Sequence, residues 1–567
     1  GSFSMTGTDK SISGTGSVFN NFVSSGSIAS SANFTVAGNI TISGGSFSSS
    51  GATTMTGSNK TITNNGTSSF GTLIINTSAT VTTASSFSIS SLLDAKGSLT
   101  ATAGTITFTN TSSFSGTANL HNVNINGTAF QLSSNAILGI ANSFTKTAGI
   151  FNSNNSIPNT VNYNGTGAQT VLSETYHNLT ISNGGTKSAG GNVTVYGTFT
   201  IASATTFEPS TYTIDLKANY ANYGTFTPST STLQFSGTSN STFYETTPTT
   251  FHIITINKGN IANNVTLLSN AKVNTLNMQR GRLLTGVNNI TIYNTRTGNA
   301  FILGNIWRSH SFTTNTNYAF EGPNNTISFN DVDGVSLIKV KVELSPASDF
   351  PLGSSINRLY TIDVPSGSYS ANLKLHYEDG ELNGNTEGSL NIYAYDGTWN
   401  EVLKAGQNTT DNYVIVEDIT NLSTRWTLSA ISFAVNWTGA VSSDWDDPDN
   451  WAVAAGTPNM PPAITDIVQI GIINFTHQPT ITSDAYAKSI SLGSSKATTI
   501  TLDSGGTLTT NAISGQWTSN ANHTISVQDG ILTINNNITL SDGTANRTIN
   551  LTIDNGRVDI AGSLSQL

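Results

Sequence analysis

Along residues 20–300, apolar side chains recur at every second position in short runs, as in FTVAGNITIS from Phe34, GTITFT from Gly104 and NVTVYGTFTIAS from Asn192. The alternate positions hold Thr, Ser or Asn, which is the period of a strand with one buried face. No helical period competes with it. Strands this short, parted by Gly, Asn and Ser turns, cannot each bury a hydrophobic face alone. They must either close into a sandwich or barrel, or stack as parallel coils.

Internal repetition favours the coils. MTGTDKSI at Met5 returns as MTGSNKTI at Met55, with swaps that keep size and hydrogen-bonding capacity. A landmark also recurs: FNNFVSS from Phe19, FGTLIIN from Phe70, LHNVNIN from Leu120, YHNLTIS from Tyr176 and FHIITIN from Phe251, at intervals of 51, 50, 56 and 75. Periods of this size mark solenoids, in which Thr sits above Thr or Ser and Asn above Asn or Asp. With a coil of ~20 to 25 residues, each long unit supplies about two coils. Residues 1–300 then make a rod of roughly 60 to 70 Å.

The pattern changes near Ile302. The first Arg is Arg280, and all seven Trp lie between Trp307 and Trp517. Residues 371–406 and 413–430 alternate in longer strands joined by turns such as Asp396-Gly397, the mark of antiparallel pairing. The predicted fold is therefore all-β: parallel β-solenoid (β-helix) repeats over 1–302, an inserted antiparallel β-sandwich over 303–432, a Trp/Asp/Pro-rich junction over 433–463, and a second, truncated solenoid over 464–567.

Of 567 residues, 10% are charged and 36% hydrophobic, and the net charge is -10. The regular apolar positions argue for order, and the charge argues against nucleic acid or an anionic membrane as partner. Absence of Cys removes disulfides and thiolate metal sites. No apolar stretch is long enough to span a bilayer, and the first residues lack a secretion signal. The chain opens and stops within repeats, so it is expected to be a piece of a larger protein.

YHNLTIS, with VNYNGTGAQTV before it and NVTVYGTFTI after it, resembles the repeats of giant cell-surface adhesins of the Bacteroidetes. NWTGAVSSDWDDPDNW is similar to segments of the same proteins, and NYAFEG, LHYEDGELNG and RWTLSA are similar to a domain found beside their repeats. The resemblance implies a secreted, extracellular protein exported by the type IX route and linked to adhesion or gliding motility. The C-terminal sorting domain expected there is missing from this chain.

Candidate chemistry is sparse. Residues 1–150 hold only Asp9, Lys10, Lys60, Asp94, Lys96 and Lys146 as charged groups, too few for general acid-base work, so no catalytic residues and no enzyme activity are predicted. His121, His177 and His252 recur in the landmark, but two or more coils separate them, too far for a shared ion with ~2 Å bonds. Asp444, Asp446, Asp447 and Asp449 have the oxygen chemistry for Ca2+, as do Asp331 with Asp333, and Asp379 with Glu381 and Glu387. The plainer reading is a turn with solvated carboxylates, and no cofactor is required. Trp437, Trp445 and Trp451 either stack on sugar rings or plug the open end of a solenoid. Runs such as Thr105-Ile106-Thr107 suggest ice binding, against which the unequal intervals count. The many Asn-x-Ser/Thr triplets are expected by chance in this composition.

The predicted function is a non-enzymatic surface adhesin or filament and stalk component involved in attachment or gliding. Its expected partners are other surface or secretion-system proteins, copies of itself, or polysaccharide. The alternative is the carbohydrate-binding portion of a secreted polysaccharide-processing protein.

Overall fold

The computed structural model describes residues 1–14, 16–350, 354–430, 432–456 and 458–566. With 57% strand and 2% helix the chain is all-β, and its main architecture is a parallel β-solenoid. It divides into two compact units, Gly1–His310 with Ala319–Pro323, and Ser311–Tyr318 with Asn324–Leu567.

In the first unit each winding contributes up to three short strands. Ser2–Met5, Lys10–Ile12 and Ser17–Phe19 pair in parallel with Asn21–Ser24, Ser27–Ser30 and Phe34–Val36, one winding on. Three separate ladders, one per face, carry this pattern forward. One ladder runs Val81, Leu99, Ala118, Leu138, Val161, Leu179, Phe199, Tyr220, Phe243, Leu267, in steps of 18 to 24 residues. None of these side chains is more than 4% exposed. Each winding therefore covers the apolar interior of the next, at about 1.5–3 kcal/mol for each large side chain buried. Parallel pairing continues through Phe301–Ser309, beyond the boundary drawn at residue 302.

The fifty-residue echo has a different cause from the one expected. Met5 pairs with Ser24, whereas Met55 pairs with Val36 and Ile75, so the two copies do not stack. Lys10–Ile12 belongs to one face and Lys60–Asn64 to another. The copies share a corner: Met ends a strand, Lys opens the next, and Asp9 and Asn59 take left-handed φ of 58° and 56°. Asp and Asn tolerate that region better than most residues. Repetition records one turn used at two different corners of the winding.

The corners also explain the asparagines. Asn21 Oδ1 accepts from the Asn39 N–H, and Asn39 Oδ1 from the Thr61 N–H. Asn33, Asn178, Asn192, Asn219, Asn240, Asn270 and Asn537 do the same for the residue one winding on, at 2.7–3.0 Å. In every case the Asn stands at or just before the start of a strand, where a side-chain carbonyl satisfies a backbone donor at the corner. Asn33, Asn39, Asn178, Asn192 and Asn537 are followed by a buried apolar residue and an outward Thr, so five of the Asn-x-Ser/Thr triplets mark corners of the winding.

The second unit begins with antiparallel sheet. Thr326–Asp333 pairs with Ser368–His376, which pairs with Tyr413–Ile419 and so to Gly406–Asn408. A second antiparallel group joins Leu337–Glu343, Leu359–Asp363, Arg425–Ser429, Asn391–Tyr395 and Trp399–Val402. Parallel windings return with Ala434–Trp437, which pairs with Ile467–Ile470. Val435, Val468, Ile490, Ile513 and Ile538 then stack in order. The first step is 33 residues and the later ones 22 to 25, so the Trp- and Asp-rich stretch is extra length within the first winding.

Candidate functional site

Trp437 ends the first parallel strand of this second solenoid, and Trp451 opens a strand that folds back antiparallel to it. Trp445 lies between them, its backbone N–H donating to the Thr480 carbonyl of the next winding at 3.1 Å. The rings of Trp437 and Trp445 each meet Trp451 edge-on at 4.8 and 4.7 Å. Exposures are 0, 1 and 6%, and the three join Val468, Phe475 and Ile481 in one core. No ring face is open for a sugar to stack on, so of the two readings the stacking one is set aside. The rings instead fill the interior of the first winding, as a plug does.

The neighbouring aspartates do not gather. Asp444 Oδ1 accepts from the Asp446 N–H and Asp447 Oδ1 from the Asp449 N–H, both at 3.0 Å, while Asp446 Oδ2 accepts from the Ser483 hydroxyl. Asp447 caps the short helical turn Pro448–Asn450. Among the described residues no three His, Asp or Glu side chains form a group that could hold a metal ion. His121, His177 and His252 accordingly stay apart. Glu381 is taken by Arg358, bidentately at 2.7 and 2.8 Å, Glu387 accepts from Tyr377, and Asp379 from Asn412. Asp331 and Asp333 lie exposed on the strand Thr326–Asp333.

Titratable groups inside the first unit are structural. Glu245 accepts from Tyr220 Oη at 3.2 Å, Asn222 Nδ2 at 3.0 Å and the Thr249 N–H at 2.9 Å, and burial raises its pKa. Lys187, fully buried, donates to the carbonyls of Gly165, Gly167 and Gly184, and burial lowers its pKa. Glu245 is thus held by a phenol, an amide and one backbone N–H, and Lys187 by three backbone carbonyls.

Unequal coil lengths do not disturb the faces. Ser48, Ser69, Ser88, Thr107, Asn124 and Thr145 remain in one outward column although the steps vary from 17 to 21 residues. The extra residues are taken up at the corners, so the objection raised from interval length does not apply to the faces themselves.

The sequence reading named none of the residues of one concave surface as a site. In the second unit a cleft of about 500 Å³ is lined by both antiparallel groups, with Ala394, Val402, Ile419 and Trp426 as apolar lining. Asp396, Asp418, Thr420, Asn421, Ser423 and Thr424 supply its polar groups. Asp396-Gly397 was legible only as a turn, and nothing in the sequence pattern joins it to Asp418, whose left-handed φ of 56° belongs to the fold.

No helix among the described residues is long and apolar enough to cross a membrane. Comparison with protein-family models, curated proteins and solved structures found no match to this chain.

Proposed function

We propose that this chain is a non-enzymatic stalk or filament segment of a secreted cell-surface adhesin, similar to the gliding-associated adhesins of the Bacteroidetes. The observation that supports it is the unbroken apolar ladder from Val81 to Leu267, wrapped in outward Thr, Ser and Asn with few charges. Such a body adds length by adding windings and offers little converging acid-base chemistry. The two antiparallel groups of the second unit are, in this reading, the layers of an inserted sandwich module. Export by the type IX route, self-association and contact with other surface proteins belong to the same proposal.

The test is made on cells. Removal of the parent protein is expected to abolish attachment or gliding and to remove a surface filament visible by electron tomography. Unchanged attachment, movement and surface structure refute the reading. Hydrolysis of any polysaccharide by the purified chain refutes its non-enzymatic part.

A further inference from the structure

The cleft of the second unit combines two kinds of surface. Trp426 is buried beneath it, and Ala394, Val402 and Ile419 are half-buried, which gives an apolar patch. Asp396, Asp418, Thr420, Asn421 and Ser423 are exposed around that patch. Their positions are fixed by local bonds. Asp396 Oδ1 accepts from Asn400 Nδ2 at 2.7 Å, and Asp418 Oδ1 accepts from Asn330 Nδ2 at 2.8 Å. Asn421 Oδ1 accepts from the Ser423 N–H at 3.1 Å, and the Thr424 hydroxyl donates to the Tyr395 carbonyl.

Three features select a ligand. The volume lies in the range of small-molecule pockets, roughly 300–1,000 Å³. An apolar patch ringed by carboxylate, amide and hydroxyl groups matches a sugar ring, which shows C–H bonds on one face and hydroxyls around its edge. Among the described residues no Lys, Arg or His lines the cleft, and two carboxylates do, so phosphate, sulfate and uronate ligands meet like charge at its rim. An apolar peptide would strand the polar rim without partners.

We infer that this cleft is a binding subsite for a neutral saccharide unit. The inference deepens the adhesin reading, on which its biological use rests, by giving the shaft a place to hold glycan.

The experiment uses the whole chain in calorimetric titrations with neutral cello-, laminari- and manno-oligosaccharides and with acidic oligogalacturonate. At least one neutral probe is expected to bind saturably, and oligogalacturonate is expected not to bind. Val402→Trp fills the cleft and should weaken binding about tenfold or more. Asp418→Asn keeps a residue that tolerates positive φ, removes one charge, and should weaken binding by roughly threefold or more. If circular dichroism shows that Val402→Trp is misfolded, Asn421→Ala takes its place with the same direction of effect. Failure of every neutral probe, preference for the acidic one, or binding untouched by these substitutions overturns the inference. Cell attachment is scored separately: loss of attachment on removal of the parent with no sugar binding sinks the cleft alone, and sugar binding with normal attachment sinks the adhesin reading alone.

Discussion

The windings of the first unit and the antiparallel strands of the second hold themselves together by different means. In the windings, a residue meets its counterpart one coil away: Leu179 lies on Phe199, Phe199 on Tyr220, and the amide of Asn178 receives the Thr198 N–H. The antiparallel strands have no such copies. There Arg358 grips Glu381 with both ends of its fork, and Arg425 pairs with Asp349 while lying 3.9 Å from the Tyr395 ring centre. Where the neighbour is another winding, apolar columns and uncharged amides are enough to set register. Where each contact occurs once, charged forks and aromatic faces supply the direction.

The strongest test of that contrast removes one large side chain from each region. Phe199→Ala and Trp426→Ala should each cost about 3–5 kcal/mol. Amide exchange is expected to localise the first to windings near Phe199 and to show the second spreading through the antiparallel strands, because repeats couple mainly to nearest neighbours. Uniform loss of protection in both variants would erase the distinction.

Charge should separate the regions next. Glu381→Ala leaves the Arg358 guanidinium, with a side chain only 2% exposed, without its carboxylate, and should cost about 3 kcal/mol in denaturant unfolding. Lys217→Ala breaks a more open pair with Asp215 in the windings and should cost about 1 kcal/mol or less. Equal costs would mean that the windings rely on charge as much as the antiparallel strands do.

A pH-dependent effect is expected at Lys258. Its ammonium donates to Ser241 Oγ at 2.8 Å, and burial lowers its pKa from the usual 10.5 to about 8. The fold therefore favours the neutral amine. That stabilisation is present above pH 10.5 and is lost as pH falls through 8, so the unfolding midpoint should rise between about pH 8 and 10.5. Lys258→Met should flatten that rise, as read by denaturant titration at each pH.

Smaller still is the corner amide. Asn178→Ala leaves the Thr198 N–H without its acceptor and should cost about 1 kcal/mol, with a similar and additive cost for Asn219→Ala two windings away. The least effect is expected from calcium. Millimolar Ca2+ should move the melting temperature by no more than about 1 °C, because Asp444 and Asp447 already serve backbone N–H groups. A shift of several degrees that Asp444→Ala removes would restore an ion to that turn.

Much of this was readable in the residues and some of it was not. Alternation over FTVAGNITIS marks inward Phe34, Val36, Ile40 and Ile42, all at most 2% exposed. Asn33 and Asn39 were equally visible, yet their role was not, since a corner amide is recognised only when its acceptor faces the next winding. Trp437, Trp445 and Trp451 showed their closeness but not their burial. Whether an aromatic ring faces core or solvent depends on which strand lies opposite, here Ile467–Ile470, some thirty residues on.

By itself the chain determined its all-β class, the inward side of each strand, and the turn at Asp9 and Asn59, because alternation and backbone preference act over a few residues. Tertiary structure alone decided which rung meets which, that the echo at Met5 and Met55 lands on different faces, and that Asp396 and Asp418 line one cleft. Those are distances between residues far apart in sequence, set by how many residues each corner absorbs before the next strand can pair.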